Sequence, residues 1–207
     1  LTAVLSGSRK ALNWCDDKGN VDFYDMKGIV EGLLEAMQVS DYTMTRSQQP
    51  YLHPGKSCDI VVNGEVIGSF GEVHPVVQEN FELDQVTYVL EMAVEPLVAS
   101  ATAVPQYKHL PKFPSMSRDI AVVVPAEVTN AELEQVIRAH AGELLQGVRV
   151  FDIYTGKQVA AGCKSMAFNL TYQAADRTLT DAEVDASMKK VIAEVAEAYK
   201  AKLRSEE

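Results

Sequence analysis

The stretch from Gly147 to Thr171, GVRVFDIYTGKQVAAGCKSMAFNLT, reads as two neighbouring strands, and the period of two along each decides what the sheet can bury and display. Along the first strand, Arg149, Phe151 and Ile153 alternate with Val148, Val150, Asp152 and Tyr154. Along the second, Met166, Phe168, Leu170 and Tyr172 alternate with Ser165, Ala167, Asn169 and Thr171. The first set of each strand is bulky enough to lie under helices. The second sets would then share an exposed face that ends in a carboxylate, an aromatic ring, a hydroxyl and an amide among small neighbours. Such a face suits a flat polar ligand, and a nucleobase is one.

Around these strands the order of elements is regular. SRDIAVVVP reads as a strand, and Thr129-Asn-Ala-Glu132 is a capping-box pattern ahead of Leu133, Val136, Ile137, Ala141 and Leu144 at helical spacing. A second capping box, Thr180-Asp-Ala-Glu183, precedes the stripe Val184, Met188, Val191, Ile192, Val195 and Tyr199, which runs toward a short strand at Lys202-Leu-Arg204. Strand, helix, strand, strand, helix, strand is the ferredoxin-like βαββαβ order, with both helices on one face. Ala121 of the first strand would join Asp152, Tyr154 and Ser165 on the helix-free face.

The first half has a different pattern. Leu1 to Gly7 is strand-like, and Asp22 can cap a helix bearing Phe23, Met26, Ile29, Val30, Leu33, Leu34 and Met37 at core spacing. CDIVVNGE and VIGSFGEVH form a hairpin through Asn63-Gly64, followed by a short helix near Pro75 to Phe81 and a strand from Val86 to Val94. The expected fold class is therefore α+β throughout, an antiparallel mixed domain over residues 1–98 and a ferredoxin-like domain over 113–207. Pro96, Pro105, Pro111 and Pro114 punctuate the region between, and a tether is expected over 99–112.

Charge and cysteines narrow the setting. Of the net −10, residues 1–111 carry 7 Lys and Arg against 15 Asp and Glu, whereas residues 112–207 carry 12 against 14. A near-neutral second half offers little general attraction for phosphates, so nucleic-acid binding there must use local groups or a partner's charge. Cys15, Cys58 and Cys163 are odd in number and widely spaced, as expected of reduced thiols in a cytoplasmic protein. The longest apolar run, Ile120 to Val124, is far short of a membrane span. The start at Leu1, already within a strand-like stretch, reads as a piece of a longer protein.

Each candidate for chemistry has a plainer role to weigh against it. A carboxylate beside an aromatic matches guanine, whose Watson–Crick edge offers two adjacent N–H donors. Asp152 could instead pair with Lys164 or Arg118 as a surface ion pair of little energetic value, and Tyr154 could be an edge aromatic packed on its neighbours. Ser165 is the least specific of the three. His53 and His74, with Cys58, Asp59 and Glu72 nearby in sequence, are the only cluster suggesting a metal or acid-base work, but they lack CxxC or HExxH spacing. Local hydrogen bonding at loop starts explains both histidines. No phosphate loop and no nucleophile elbow occurs, since Gly64, Gly68 and Gly71 open no helix and Ser6 lacks the strand-to-helix setting.

The segments PKFPSMSRDIAVVV, RVFDIYTG, GCKSMAF and DRTLTDAEV resemble, in order and spacing, the ferredoxin-fold anticodon-binding domain of phenylalanyl-tRNA synthetases. SRKALNW, DFYDMKGIVEGLL, YLHPGKSCDIVVNGEVIGSFGEVHP and the LEM strand are similar to the closing part of the catalytic-like domain of the bacterial beta subunits of that family. The resemblance implies a beta subunit that joins a catalytic alpha subunit, two of each, to charge tRNA(Phe) with phenylalanine using ATP and magnesium. It implies that Tyr154 stacks on the first anticodon base, a guanine, that Asp152 accepts from its edge, that Ser165 adds a hydrogen bond and that Ala121 keeps the pocket shallow.

Neither the fRxE nor the GxGxxxR motif, whose arginines grip ATP phosphates in class II cores, occurs here. The chain is thus expected to carry no catalytic residue, metal site or cofactor of its own, and to meet the anticodon stem-loop and the alpha subunit rather than a membrane. The rival is a stand-alone ferredoxin-like module for a small molecule or metal. General RNA-recognition modules share the strand order, but their aromatic-rich central strands are missing.

Overall fold

The computed structural model describes the chain except residues 12, 13, 15–18, 103, 105, 106, 108, 109, 157, 158 and 204–207, and describes 202 and 203 by backbone alone. Cys15 and Arg204 lie outside the described residues, as does Pro105 of the expected tether. Two compact units emerge, Leu1–Tyr107 and Lys108–Glu207.

In the first unit, β1 (Thr2–Ser6), α1 (Phe23–Ala36), β2 (Tyr42–Arg46), β3 (Leu52–Val62), β4 (Glu65–Val73), α2 (Pro75–Asn80), β5 (Thr87–Met92) and α3 (Val94–Ser100) follow in order. The strands form one antiparallel sheet, β1-β5-β4-β3-β2. Helix α1 starts at Asp22 because its carboxylate accepts from the Tyr24 and Asp25 amides at 2.8 and 3.1 Å, while Asp25 accepts from the Asp22 amide at 2.7 Å. The hydrogen bonds from Arg9 hold the Asp25 carboxyl below its usual range. Met26, Val30 and Leu34 are buried with Phe70, Leu90 and Ile60 of the sheet. Ile29, expected in that stripe, is 45% exposed, because the buried face narrows to one residue per turn at i, i+4, i+8.

The Asn63-Gly64 turn behaves as its residues dictate, with both φ angles positive at 52° and 81°. Three features differ from the sequence reading. A further strand, β2, pairs with β3, and β3 itself begins at Leu52, well before CDIVV. Residues 94–100 are helical, and Leu97 and Ala101 pack on the first core, so the expected tether from 99 is still structured at its start. Small and polar composition hid an apolar anchor there.

The second unit follows the anticipated order: β6 (Met116–Pro125), α4 (Asn130–Ala141), β7 (Leu145–Tyr154), β8 (Cys163–Tyr172), α5 (Asp181–Tyr199) and β9 (Lys202–Leu203), with sheet order β7-β8-β6-β9. Both capping boxes form. Glu132 and Glu183 each accept from the backbone amide and hydroxyl of their threonine at 2.7 to 2.9 Å. The Thr180 amide, then the Arg177 side chain, hold the Glu183 carboxyl down to about 2. Leu133, Ile137 and Ala141 of α4 and Val184, Met188, Val191 and Val195 of α5 share one core with Ile120, Val122, Val124, Met166, Phe168, Leu170 and Tyr172. The sheet therefore buries one face and leaves the other without helices.

Candidate nucleic-acid interface

Simple alternation fails along β7, and the failure shapes the site. Val148 and Val150 pair with Leu170 and Phe168 and pack on the core, whereas Phe151 is 53% exposed. Phe151 is the extra residue of a β-bulge between Val150 and Asp152, so the strand changes face as it passes it. Upstream of the bulge Arg149 faces away from the helices, contrary to the expectation that it lies beneath them. Downstream, Asp152 and Tyr154 face the same way. Only with the extra residue can one strand bury Val148 and Val150 and still display Asp152 and Tyr154.

The pairings then build the helix-free face row by row. Asp152 pairs with Ala167, which pairs with Ala121. Tyr154 pairs with Ser165, which pairs with Val123. Neighbouring strands lie about 4.8 Å apart, so the two alanines form a low shelf bounded by the ring and hydroxyl of one row and the carboxylate at the sheet edge. All four expected residues, Ala121, Asp152, Tyr154 and Ser165, are brought together on this face.

The plainer roles for Asp152 are not realised. Arg118 and Lys164 point to the opposite face, where Arg118 binds Asp181 on α5 and meets Asp185 at 3.5 Å. Among the described residues Asp152 makes no hydrogen bond or ion pair, and it is exposed. Ser165 is buried, and its hydroxyl likewise makes no hydrogen bond among the described residues. A flat group laid on the alanine shelf would meet an acceptor at one side, a hydroxyl beneath and an aromatic at the end.

A third row, Asp119, Asn169 and Arg149, adjoins the shelf. Asn169 donates to Ser117 and Asp119 at 2.7 and 2.6 Å, so Asp119 is already engaged while Arg149 adds a cation beside the site. Arg149 and Val123 were missed as members of this face. The cost of burying an unpaired guanidinium under helices was the signal that could have placed Arg149 outward.

The other candidate cluster dissolves. His53 Nδ1 accepts from the Gly55 amide at 3.0 Å and His74 Nδ1 from the Val76 amide at 3.2 Å. Both histidines thus hydrogen-bond locally, although His53 sits within β3 rather than at a loop start. Glu72 is buried against Tyr88 and Lys56, at 3.2 and 2.6 Å, and burial, with Glu72 beside it, pushes the Tyr88 hydroxyl up to about 12. Among the described residues no three His, Cys, Asp or Glu side chains are grouped to hold a metal. Cys58 and Cys163 are free thiols.

The face of the first sheet opposite α1 carries Thr2, Glu91, Ser69, Asp59 and Thr45 in one cross-strand row. Ser69 donates to Asp59 at 2.7 Å, and Tyr51 donates to Glu91 at 3.2 Å. Two carboxylates and no arginine or lysine in this row do not fit a nucleoside triphosphate.

The first unit is thus an open antiparallel sheet of five strands, and the second has the ferredoxin-like order with a polar shelf on its helix-free face. The ferredoxin-fold anticodon binding domain model matches residues 111–204, and the phenylalanyl tRNA synthetase beta chain CLM domain model matches residues 1–94. The chain is 43% identical over 202 residues to a phenylalanine–tRNA ligase beta subunit of Symbiobacterium thermophilum, covering 98% of this chain and 22% of that protein. It is 42% identical over 203 residues to that of Bacillus subtilis, covering 98% and 25%, and 41% identical over 206 residues to that of Shouchella clausii, covering 99% and 25%. The chain belongs to the phenylalanine–tRNA ligase beta subunit family, and it spans about a quarter of the length of these relatives. The stand-alone small-molecule or metal module is not favoured.

Proposed function

We propose that this chain is the anticodon-reading and subunit-joining part of a phenylalanine–tRNA ligase and is non-catalytic by itself. The whole enzyme attaches phenylalanine to tRNA(Phe) with ATP and magnesium in the cytoplasm, as two alpha and two beta subunits, and the catalytic groups belong to the alpha subunit. Residues 113–207 form the anticodon-contacting domain, residues 1–98 belong to the domain that serves assembly, and 99–112 link them. Tyr154 stacks on the first anticodon base, Asp152 accepts from its Watson–Crick edge, Ser165 adds a hydrogen bond and Ala121 keeps the shelf low. No helix among the described residues is long and apolar enough to cross a membrane.

The observation that carries the reading is the juxtaposition of an exposed carboxylate without a partner among the described residues, a buried serine and an aromatic around two alanines on a helix-free sheet face. A stacked aromatic contributes ~1–3 kcal/mol, and a good base-edge contact discriminates by a similar ~1–3 kcal/mol. Those sums give weak binding for the isolated chain, and the rest of the ligase supplies the remainder. The test is an NMR titration of the 207-residue chain with an anticodon stem-loop of tRNA(Phe) and with one whose first anticodon guanine is replaced. Shifts centre on Asp152, Tyr154 and Ser165 and weaken with the replaced base. Equal shifts with both loops, or none on this face, would remove the anticodon assignment.

A further inference from the structure

We propose that Gly156 is a positioning residue for Tyr154: its missing side chain lets the β7–β8 loop backbone seat the hydroxyl end of the ring beside the shelf. This rests on the anticodon reading above and goes beyond it by assigning the loop a part in base recognition. A Cβ built on Gly156 would run into the Tyr154 hydroxyl oxygen and Cζ, and would lie 2.7 Å from Cε2. The loop backbone therefore packs directly on the ring.

Conformation is not what glycine provides at this position. The φ of Gly156 lies outside the left-handed region, so an alanine backbone fits, whereas Gly162 at the other end of the same loop has φ +79° with open space around it. One glycine serves the turn and the other serves the ring. β7 is the edge strand of its sheet, and Tyr154 lies beside Ser165 of β8 on one side. A ring held between an edge and a loop loses less freedom when a base stacks on it, which is preorganisation.

The experiment is a cycle on the 207-residue chain, measuring Kd for the anticodon stem-loop with Gly156→Ala, Tyr154→Ala and both together. Gly156→Ala is expected to weaken binding roughly 2–10-fold, with an unchanged melting temperature, and to have no further effect when Tyr154 is already alanine. An equal loss from Gly156→Ala with and without the Tyr154 ring would overturn the proposal, because the loop would then act by itself. So would an unchanged Kd for Gly156→Ala while Tyr154→Ala weakens binding. If Tyr154→Ala leaves Kd unchanged, the anticodon reading falls and this inference falls with it.

Discussion

Each sheet packs helices on one face, α1 in the first and α4 and α5 in the second, but their opposite faces differ in how polar groups are used. In the first sheet the polar groups are engaged with one another, Ser69 with Asp59 and Tyr51 with Glu91, and the strands are drawn close at Gly68 and Gly71. In the second, Asp152 and Ser165 make no hydrogen bond among the described residues and lie beside alanines. A sheet face becomes a recognition surface when its polar groups are held in place by the backbone yet left unsatisfied by neighbours. Satisfied groups stabilise the fold and offer little to a ligand.

The sharpest way to break this contrast is to add carbon to each face. A Cβ on Gly71 would collide with the Lys56 carbonyl and Ser57 backbone, which cannot swing aside as a side chain does. Gly71→Ala should cost about 1–3 kcal/mol of stability, read as a lower denaturation midpoint. Ala121→Leu fills an open shelf instead. It should leave the midpoint unchanged while weakening stem-loop binding about tenfold, or ~1.4 kcal/mol, in a direct titration. A stable Gly71→Ala variant, or a destabilised Ala121→Leu variant that binds normally, would reverse the roles assigned to the two faces.

A smaller contrast lies in pH dependence. Tyr88 keeps its proton up to about 12 in the folded first unit against an ordinary value of 10.0, so the folded state holds more protons than the unfolded one between those values. Its contribution is present below pH 10 and is lost as pH rises toward 12. Glu183 is depressed to about 2 from 4.5, so its contribution is present above pH 4.5 and lost as pH falls toward 2. The stability gap between wild type and Tyr88→Phe should therefore narrow on the alkaline side, and that for Glu183→Gln on the acid side. Thermal melts across both ranges check this, and gaps that stay constant with pH would contradict it.

Much of the architecture is written in local signals. Asp22 and Thr129 start helices because their side chains accept from amides within three residues, Thr180 starts one because Glu183 reaches back to its amide, and Asn63-Gly64 turns a hairpin because both positions tolerate positive φ. Two apolar stripes placed α4 and α5 on one side of their sheet. A period-two reading also put Asp152, Tyr154, Ser165 and Ala121 on one face, although along β7 the same reading wrongly placed Val148 and Val150 there too.

Other features needed the tertiary structure because they depend on partners distant in sequence. The bulge at Phe151 arises from hydrogen-bond register against β8, and it moved Arg149 outward and Val148 and Val150 inward. The docking of Leu97 and Ala101 on the first core turned the start of an apparent tether into structure. The packing of Gly156 on Tyr154 is likewise invisible in residue type. Short-range hydrogen bonding and periodicity are properties of a segment, so sequence determined the elements and their order. Register, bulges and close approach are settled only where strands from distant segments meet and compete for the same backbone hydrogen bonds and the same core.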